Sequence, residues 1–199
     1  MKRLWGGLYF AGMIGQIIIR APYERGRHDV AKVDQRVSAT ERAIIGGLIP
    51  AVFALPLLNT LTDRLSFADY PLSERAKGRL GAIGAALLAG ALWVFWRAHR
   101  DLGLNWSPSL EITERQTLVT EGIYHVVRHP MYSSQLLWGL AQLALVPNWL
   151  AGPGGLLSFF ALYLLRVPRE ERMMLDHFGD EYRDYSAQTG RVLPRLNTR

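Results

Sequence analysis

Apolar and charged positions in this chain are segregated into blocks rather than interspersed. Leu4 to Ile19 runs 16 residues without a charge, Ala43 to Thr62 runs 20, Leu80 to Trp96 runs 17, and Met131 to Leu165 runs 35. A bilayer core of about 30 Å accommodates roughly 20 helical residues. The first three blocks therefore each read as one transmembrane helix. The fourth is too long for one crossing, since about 52 Å of helix would result at 1.5 Å per residue. Val146-Pro147-Asn148-Trp149 lies near its middle and Gly152-Pro153-Gly154-Gly155 follows. These turn formers predict a helical hairpin over 131–165. The pattern thus predicts an all-α integral membrane bundle of about five transmembrane helices, or four if Leu4 to Ile19 lies in the interface. That first block does not read as a cleaved leader, because Gln16 and Ile18-Ile19-Arg20 make a poor cleavage site.

The charged segments set an orientation. Arg20 to Arg42 holds six Lys or Arg, Arg97 to Arg128 holds four, and the chain from Arg166 onward holds seven. With five spans these segments share one side, and the positive-inside rule makes that side cytoplasmic. The N-terminus is then outside and the C-terminus in the cytoplasm. One membrane domain, 1–199, is expected. It has three spans in 1–96 and a functional part in 97–199 that ends in a cytoplasmic helix. Residues 174, 175, 178, 182 and 185 recur at three to four positions, which predicts an amphipathic helix interrupted or capped at Gly179. Leu102 to Pro108 reads as a turn bearing an interfacial Trp106.

Composition changes this picture little. The mean hydropathy of +0.05 averages over the two kinds of block. The net charge of +6 fits cytoplasmic loops near anionic headgroups better than nucleic acid, which is not expected as a partner. With Cys 0, disulfides, thiolate zinc sites and a cysteine nucleophile are excluded. His125 and His129 are four apart, but Pro130 interrupts a helix through them and no third ligand is evident, so no metal is expected.

Two places carry candidate chemistry. Pro130 is suited to the first position of a helix. The free N–H groups and positive dipole end then emerge at Met131 and Tyr132, among donors from Arg128, His129 and Tyr132, and form a site for an anion. Alternatively, Arg128 is an anchor, His129 a cap and Tyr132 an interfacial residue. Glu170 and Glu171 stand just beyond an apolar span, where a helix C-terminus and anionic headgroups both disfavour them. Arg166 lies one turn before Glu170, with Pro168 between. The pair reads either as a juxtamembrane ion pair or as a recognition element for a zwitterion. Tyr124, His129 and Glu170 are expected at one interface.

At these residues the chain resembles the isoprenylcysteine carboxyl methyltransferase family of integral membrane methyltransferases, whose C-terminal half the phospholipid methyltransferases share. The resembling stretch runs from about Arg97 to Pro194. It comprises Ala98-His99-Arg100-Asp101-Leu102-Gly103, Leu118-Val119-Thr120, Gly122, Tyr124, Arg128-His129-Pro130-Met131-Tyr132, Arg166 with Glu170-Glu171, and Phe178-Gly179-Asp180-Glu181-Tyr182. The resemblance implies S-adenosylmethionine as cofactor. It implies cofactor binding at Gln116, Thr117, Leu118 and Val119, partly through backbone groups, and at Tyr124, His129, Pro130, Met131, Tyr132 and Glu170. Arg166 and Glu170 are the implied catalytic pair. Gln116-Thr117 stands where the family has a histidine, and Pro168 leaves either Arg166 or Arg169 to face the acceptor. The implied reaction is methylation of a lipophilic acceptor drawn from the bilayer, most like a prenylcysteine carboxylate. The alternatives are a phospholipid amine or a thiol acceptor, or an inactive membrane scaffold. A transporter is disfavoured, because no charge lies inside any span.

Overall fold

A computed structural model of the chain describes residues 1–25, 32–35, 43, 46–106, 111–113 and 117–195. Helix α1 covers Lys2–Arg25. The second helix, α2, covers Gly46–Leu61 and contains a π-helical turn at Pro50–Ala54. Helix α3 covers Glu74–Leu102, α4 the single turn Ile123–Val126, α5 Pro130–Leu145, α6 Gly154–Phe178 and α7 Asp180–Gln188. Two short strands that the hydropathy pattern did not anticipate, β1 (Lys32–Gln35) and β2 (Glu111–Thr113), form an antiparallel pair.

The helical membrane architecture is as expected, with helices of unequal length. Among the described residues, two helices, α1 over Lys2–Glu24 and α3, are long and apolar enough to cross a bilayer by length and composition. Local chemistry limits the others. The Ala43 to Thr62 block yields a 16-residue apolar helix, Gly46–Leu61, interrupted by its π turn. Pro130 starts α5 and the turn after Leu145 ends it, leaving 16 residues. Helix α6 has 25 residues, but charged side chains begin at Arg166. The hairpin itself is present. Asn148 closes its turn, with its side-chain oxygen accepting from the N–H groups of Leu150 and Ala151 at 3.0 and 3.1 Å. Helix α6 stays helical through Pro168. It stops at Gly179, whose φ of +56° an L side chain rarely adopts, and α7 follows.

Small residues let the long helices touch. A Cβ on Gly84 of α3 would stand 2.8 Å from Leu145 Cγ of α5, and one on Gly139 of α5 would stand 2.5 Å from Leu156 Cα of α6. Close backbone approach of this kind drives helix association in lipid. The core lies among α1, α3 and α5, around Tyr9, Leu88, Ala91, Trp138, Ala141 and Leu145. Its polar groups are satisfied internally. Trp138 Nε1 donates to the Tyr9 hydroxyl at 3.3 Å, that hydroxyl lies 2.9 Å from Gln142 Oε1, and Gln142 Nε2 donates to Ala51 and Ala151 carbonyls at 2.9 and 2.7 Å. The outside carries exposed Leu4, Ile14, Ile17, Ile18, Ile83 and Leu157, a surface suited to lipid rather than water.

The two ends of the bundle differ. At one end the Lys2 ammonium lies 3.8 Å from both Asp63 and Asp69, and Asn148 donates to Asp69 at 2.8 Å. This ties the start of α1 to the loop after α2 and to the hairpin turn. The opposite end gathers the C-terminal ends of α1, α3 and α6 with the start of α5.

Candidate functional site

The site at that opposite end is assembled from three supports. The first is the end of α3. Asp101 Oδ2 accepts from Arg97 at 3.0 Å and from the Ile123 N–H at 2.8 Å, which fixes the start of α4. Gly122 makes this approach feasible: its φ is +61°, and a Cβ there would meet Asp101 Oδ2 at 2.3 Å. Tyr124 is then buried, with its hydroxyl donating to the Ala98 carbonyl at 3.3 Å. Asn105 holds the segment leading in, its Oδ1 accepting from the Thr117 N–H at 2.9 Å and its Nδ2 donating to Thr117 Oγ1 at 3.2 Å.

The second support is an ion cluster around Glu171. Arg128 Nε donates to Glu171 Oε1 at 2.7 Å, Arg191 Nη2 donates to Oε2 at 2.7 Å, and His129 Nε2 lies 3.3 Å from Oε1. Arg128 also donates to the Thr189 carbonyl at 2.5 Å. The backbone follows, with Arg128 and His129 N–H groups donating at 2.9 Å to the Gly190 and Arg191 carbonyls. Burial alone would push the Glu171 carboxyl up, but hydrogen bonds from His129, Arg128 and Arg191 overcome it and hold the group down at about 2. Glu171 is thus committed to this cluster. This corrects one expectation: Arg128 is turned to Glu171 instead of standing ready as an anion donor at the start of α5.

The third support is the start of α5. Pro130 is in the first turn and His129 occupies the cap position, yet its side chain makes no capping bond. Its ring faces the acids instead, with Nδ1 4.0 Å from Glu170 Oε1. Tyr132, one turn into the helix, donates from its hydroxyl to Glu170 Oε2 at 3.2 Å.

These supports enclose a cavity of about 450 Å³. Thr117, Leu118 and Val119 line it, as do Tyr124 and the run His129, Pro130, Met131 and Tyr132. Arg166 and Glu170 line it from α6. Arg169 is not among the lining residues, and Gln116 lies outside the described residues. Helix α1 adds Gln16 and Arg20, α3 adds Phe95, and α6 adds Met173 and Met174. Sequence reasoning passed over all five for this role. Arg20 carried a faint signal as the charge that ends the first apolar block, whereas the others look like ordinary bundle residues. Trp106 corrects a further expectation. It is 4% exposed, not a residue of the interface belt, and it packs on His99 with ring centroids 5.0 Å apart.

The chain has clear relatives. The model of the isoprenylcysteine carboxyl methyltransferase (ICMT) family matches residues 82–176. Protein-S-isoprenylcysteine O-methyltransferase B of Arabidopsis thaliana is 30% identical over 84 residues, 42% of this chain and 43% of that protein. Protein-S-isoprenylcysteine O-methyltransferase of Tribolium castaneum is 33% identical over 84 residues, 42% of this chain and 30% of that protein. The matched stretch thus spans less than half of either relative. The structure of the eukaryotic intramembrane Ras methyltransferase ICMT matches with a TM-score of 0.53 at 21% identity, over 79% of this chain and 54% of that one. At that identity the likeness concerns the fold, which is that of an integral membrane protein. Residues 82–176, which supply most of the cavity wall, are thus the part of the chain that resembles the isoprenylcysteine carboxyl methyltransferase family.

Proposed function

We propose that this protein is a membrane methyltransferase that uses S-adenosylmethionine to methylate a lipophilic acceptor, with a prenylcysteine carboxylate as the acceptor it most resembles in need. The observation that carries this reading is the cavity's mixed lining. A polar end holds Glu170, Tyr132 and His129, and an apolar wall holds Phe95, Phe159 and Leu162 from the bundle. Its volume of about 450 Å³ lies in the usual range of small-molecule sites.

The donor set fits the cofactor. Glu170 is a carboxylate with a third of its side chain exposed, suited to an ammonium or a sulfonium. Thr117, Leu118 and Val119 offer backbone groups along one wall. When bound, S-adenosylmethionine would supply an activated methyl group, carried on a sulfonium, for transfer to the acceptor. The protein's work is orientation and exclusion of water. Tyr132 holds Glu170 in place, the Glu171 cluster fixes His129, and Arg166 on α6 faces the same cavity. Arg166 is the arginine we assign to the acceptor side, because it lines the cavity and Arg169 does not. The carboxylate acceptor is preferred over an ammonium headgroup, since arginine pairs bidentately with the former and repels the latter.

We further assign the site to the cytoplasmic side, on the Lys and Arg asymmetry, and treat 97–199 as its main provider. Binding of S-adenosylmethionine to the protein in detergent, followed by methylation of an S-farnesylated N-acetylcysteine, tests the reading. Turnover of phosphatidylethanolamine but not of the prenylated acid would move the acceptor assignment to an amine. Donor binding without turnover on any lipid acceptor would favour the scaffold.

A further inference from the structure

Helix α1 lies outside the family-matched stretch, yet two of its residues reach the cavity. Gln16 and Arg20 are one helical turn apart, on the same face, and both line it. Gln16 Nε2 and Arg20 Nε are buried and have no hydrogen-bond partner among the described residues. The Arg20 guanidinium carbon lies 5.4 Å from the centroid of Phe95 and 5.5 Å from that of Trp106. Ring contacts of this kind hold a guanidinium in place but leave its Nε without an acceptor. Glu24, a further turn along α1, acts on Arg20 through its charge but does not line the cavity. Buried donors without acceptors are disfavoured in a folded protein unless a ligand or water completes them.

The cavity's charges divide the work. Glu170 is the acidic residue in its lining and suits a cationic ligand group. Arg128 also borders it but is engaged by Glu171, and Arg166 lines it from α6 on the acceptor side. The donors on α1 lie on a different wall, and Gln16 sits inside the first apolar block, whose Ile17 and Ile18 are each 66% exposed to the outside. That wall is within reach of a lipidic ligand.

We propose that Gln16 and Arg20 form an oxyanion clamp for the acceptor: the pair receives the carboxylate of the lipid-borne substrate as it enters from the bilayer and selects acids over neutral esters. This rests on the reading of the cavity as the site of a lipophilic acceptor. It makes Arg20 and Gln16 specificity determinants supplied by the first helix, acting beside Arg166 of α6 and distinct from the cofactor-facing Glu170 and residues of α5. It also gives the product, a methyl ester without charge, a reason to leave.

The test compares binding of S-farnesylated N-acetylcysteine with binding of its methyl ester to the full chain in nanodiscs. The wild type is expected to bind the acid at least tenfold more tightly than the ester. Arg20→Gln and Gln16→Leu should each reduce that ratio at least threefold, with S-adenosylmethionine affinity within twofold of wild type. Arg20→Lys, which keeps the charge but not the planar fork, should retain part of the preference and guards against misfolding of the harsher variants. An unchanged acid-to-ester ratio in both Arg20→Gln and Gln16→Leu overturns the proposal. So does a tenfold loss of S-adenosylmethionine affinity in Arg20→Gln with the ratio retained, which would assign the clamp to the cofactor's own carboxylate. Failure of the wild type to bind S-adenosylmethionine would instead strike the methyltransferase reading, and the acid-to-ester ratio would still report on the clamp.

Discussion

The Arg128 guanidinium and the Glu171 carboxylate meet at 2.7 Å, and this contact decides which of two adjacent acids is available to a ligand. Glu171 also binds Arg191 and His129, so its charge is consumed in joining the start of α5, α6 and the segment after α7. Glu170, one residue earlier and about 100° around the helix, is left facing the cavity.

Glu171→Gln should therefore act on stability. Losing the charged hydrogen bonds is expected to destabilise the protein by about 2 kcal/mol, read as a lower midpoint in thermal unfolding in detergent. The folded-state carboxyl sits at about 2, below its ordinary value of 4.5. A depressed acid stabilises the fold above its unfolded value and loses that contribution as pH falls through the folded one. Wild-type stability should thus decline between about pH 4.5 and 2, and the decline should be shallower in Glu171→Gln. Parallel pH profiles for the two proteins would remove the cluster's assigned role.

Gly122→Ala should be more damaging than its size suggests. The substitution adds a Cβ at a left-handed φ and drives it into the Asp101 carboxylate. A cost of about 1–3 kcal/mol is expected for the strain. Release of the Ile123 N–H from Asp101 should also loosen Tyr124. Unaltered thermal stability in this variant would contradict the Asp101 pin.

Tyr132→Phe removes one hydroxyl that holds Glu170 and leaves the ring packing in place. Affinity for S-adenosylmethionine should fall by about 1 kcal/mol, roughly fivefold, with little change in unfolding. Equal affinity in the two proteins would mean that Glu170 does not depend on Tyr132.

Arg166 and Arg169 separate by geometry. Arg166→Ala should raise the acceptor KM or lower turnover with cofactor affinity nearly unchanged, and Arg169→Ala should be close to silent, because Arg166 alone of the two lines the cavity. Steady-state kinetics in which Arg169→Ala carries the larger acceptor defect would reverse the assignment.

Much of this site was legible in the chain because its signals are local. Pro130 announces the start of α5, Gly179 the break before α7, and Pro147-Asn148 the hairpin turn. Each of these depends on backbone chemistry that one residue imposes. Arg128 and Glu171 were not legible as partners, since they are 43 positions apart and each also made sense as an interfacial charge. Arg20, Phe95 and Trp106 reach one cavity wall only through the packing of α1 against α3, which hydropathy does not encode. The length of each continuous helix was less legible for a related reason. An uncharged run bounds a helix from outside, whereas the π turn at Pro50–Ala54 and the proline and glycine turns decide how much of it is continuous.

Orientation is open to direct labelling, because the chain has Cys 0 and single cysteines can be placed freely. Glu121→Cys, beside the cavity, should react with an impermeant maleimide from the cytoplasmic side. Phe67→Cys, 79% exposed at the Lys2–Asp69 end, should react from the other side. The reverse pattern would invert the topology.

The most direct measurement is calorimetric titration of S-adenosylmethionine into the purified protein, wild type against Glu170→Gln. Saturable binding in the micromolar range to the wild type is expected, with at least tenfold weakening, about 1.4 kcal/mol, in a variant that unfolds at the same temperature. Absence of binding to the folded wild type, or equal affinity in both proteins, would contradict the assignment of this cavity to a methyl donor held by Glu170.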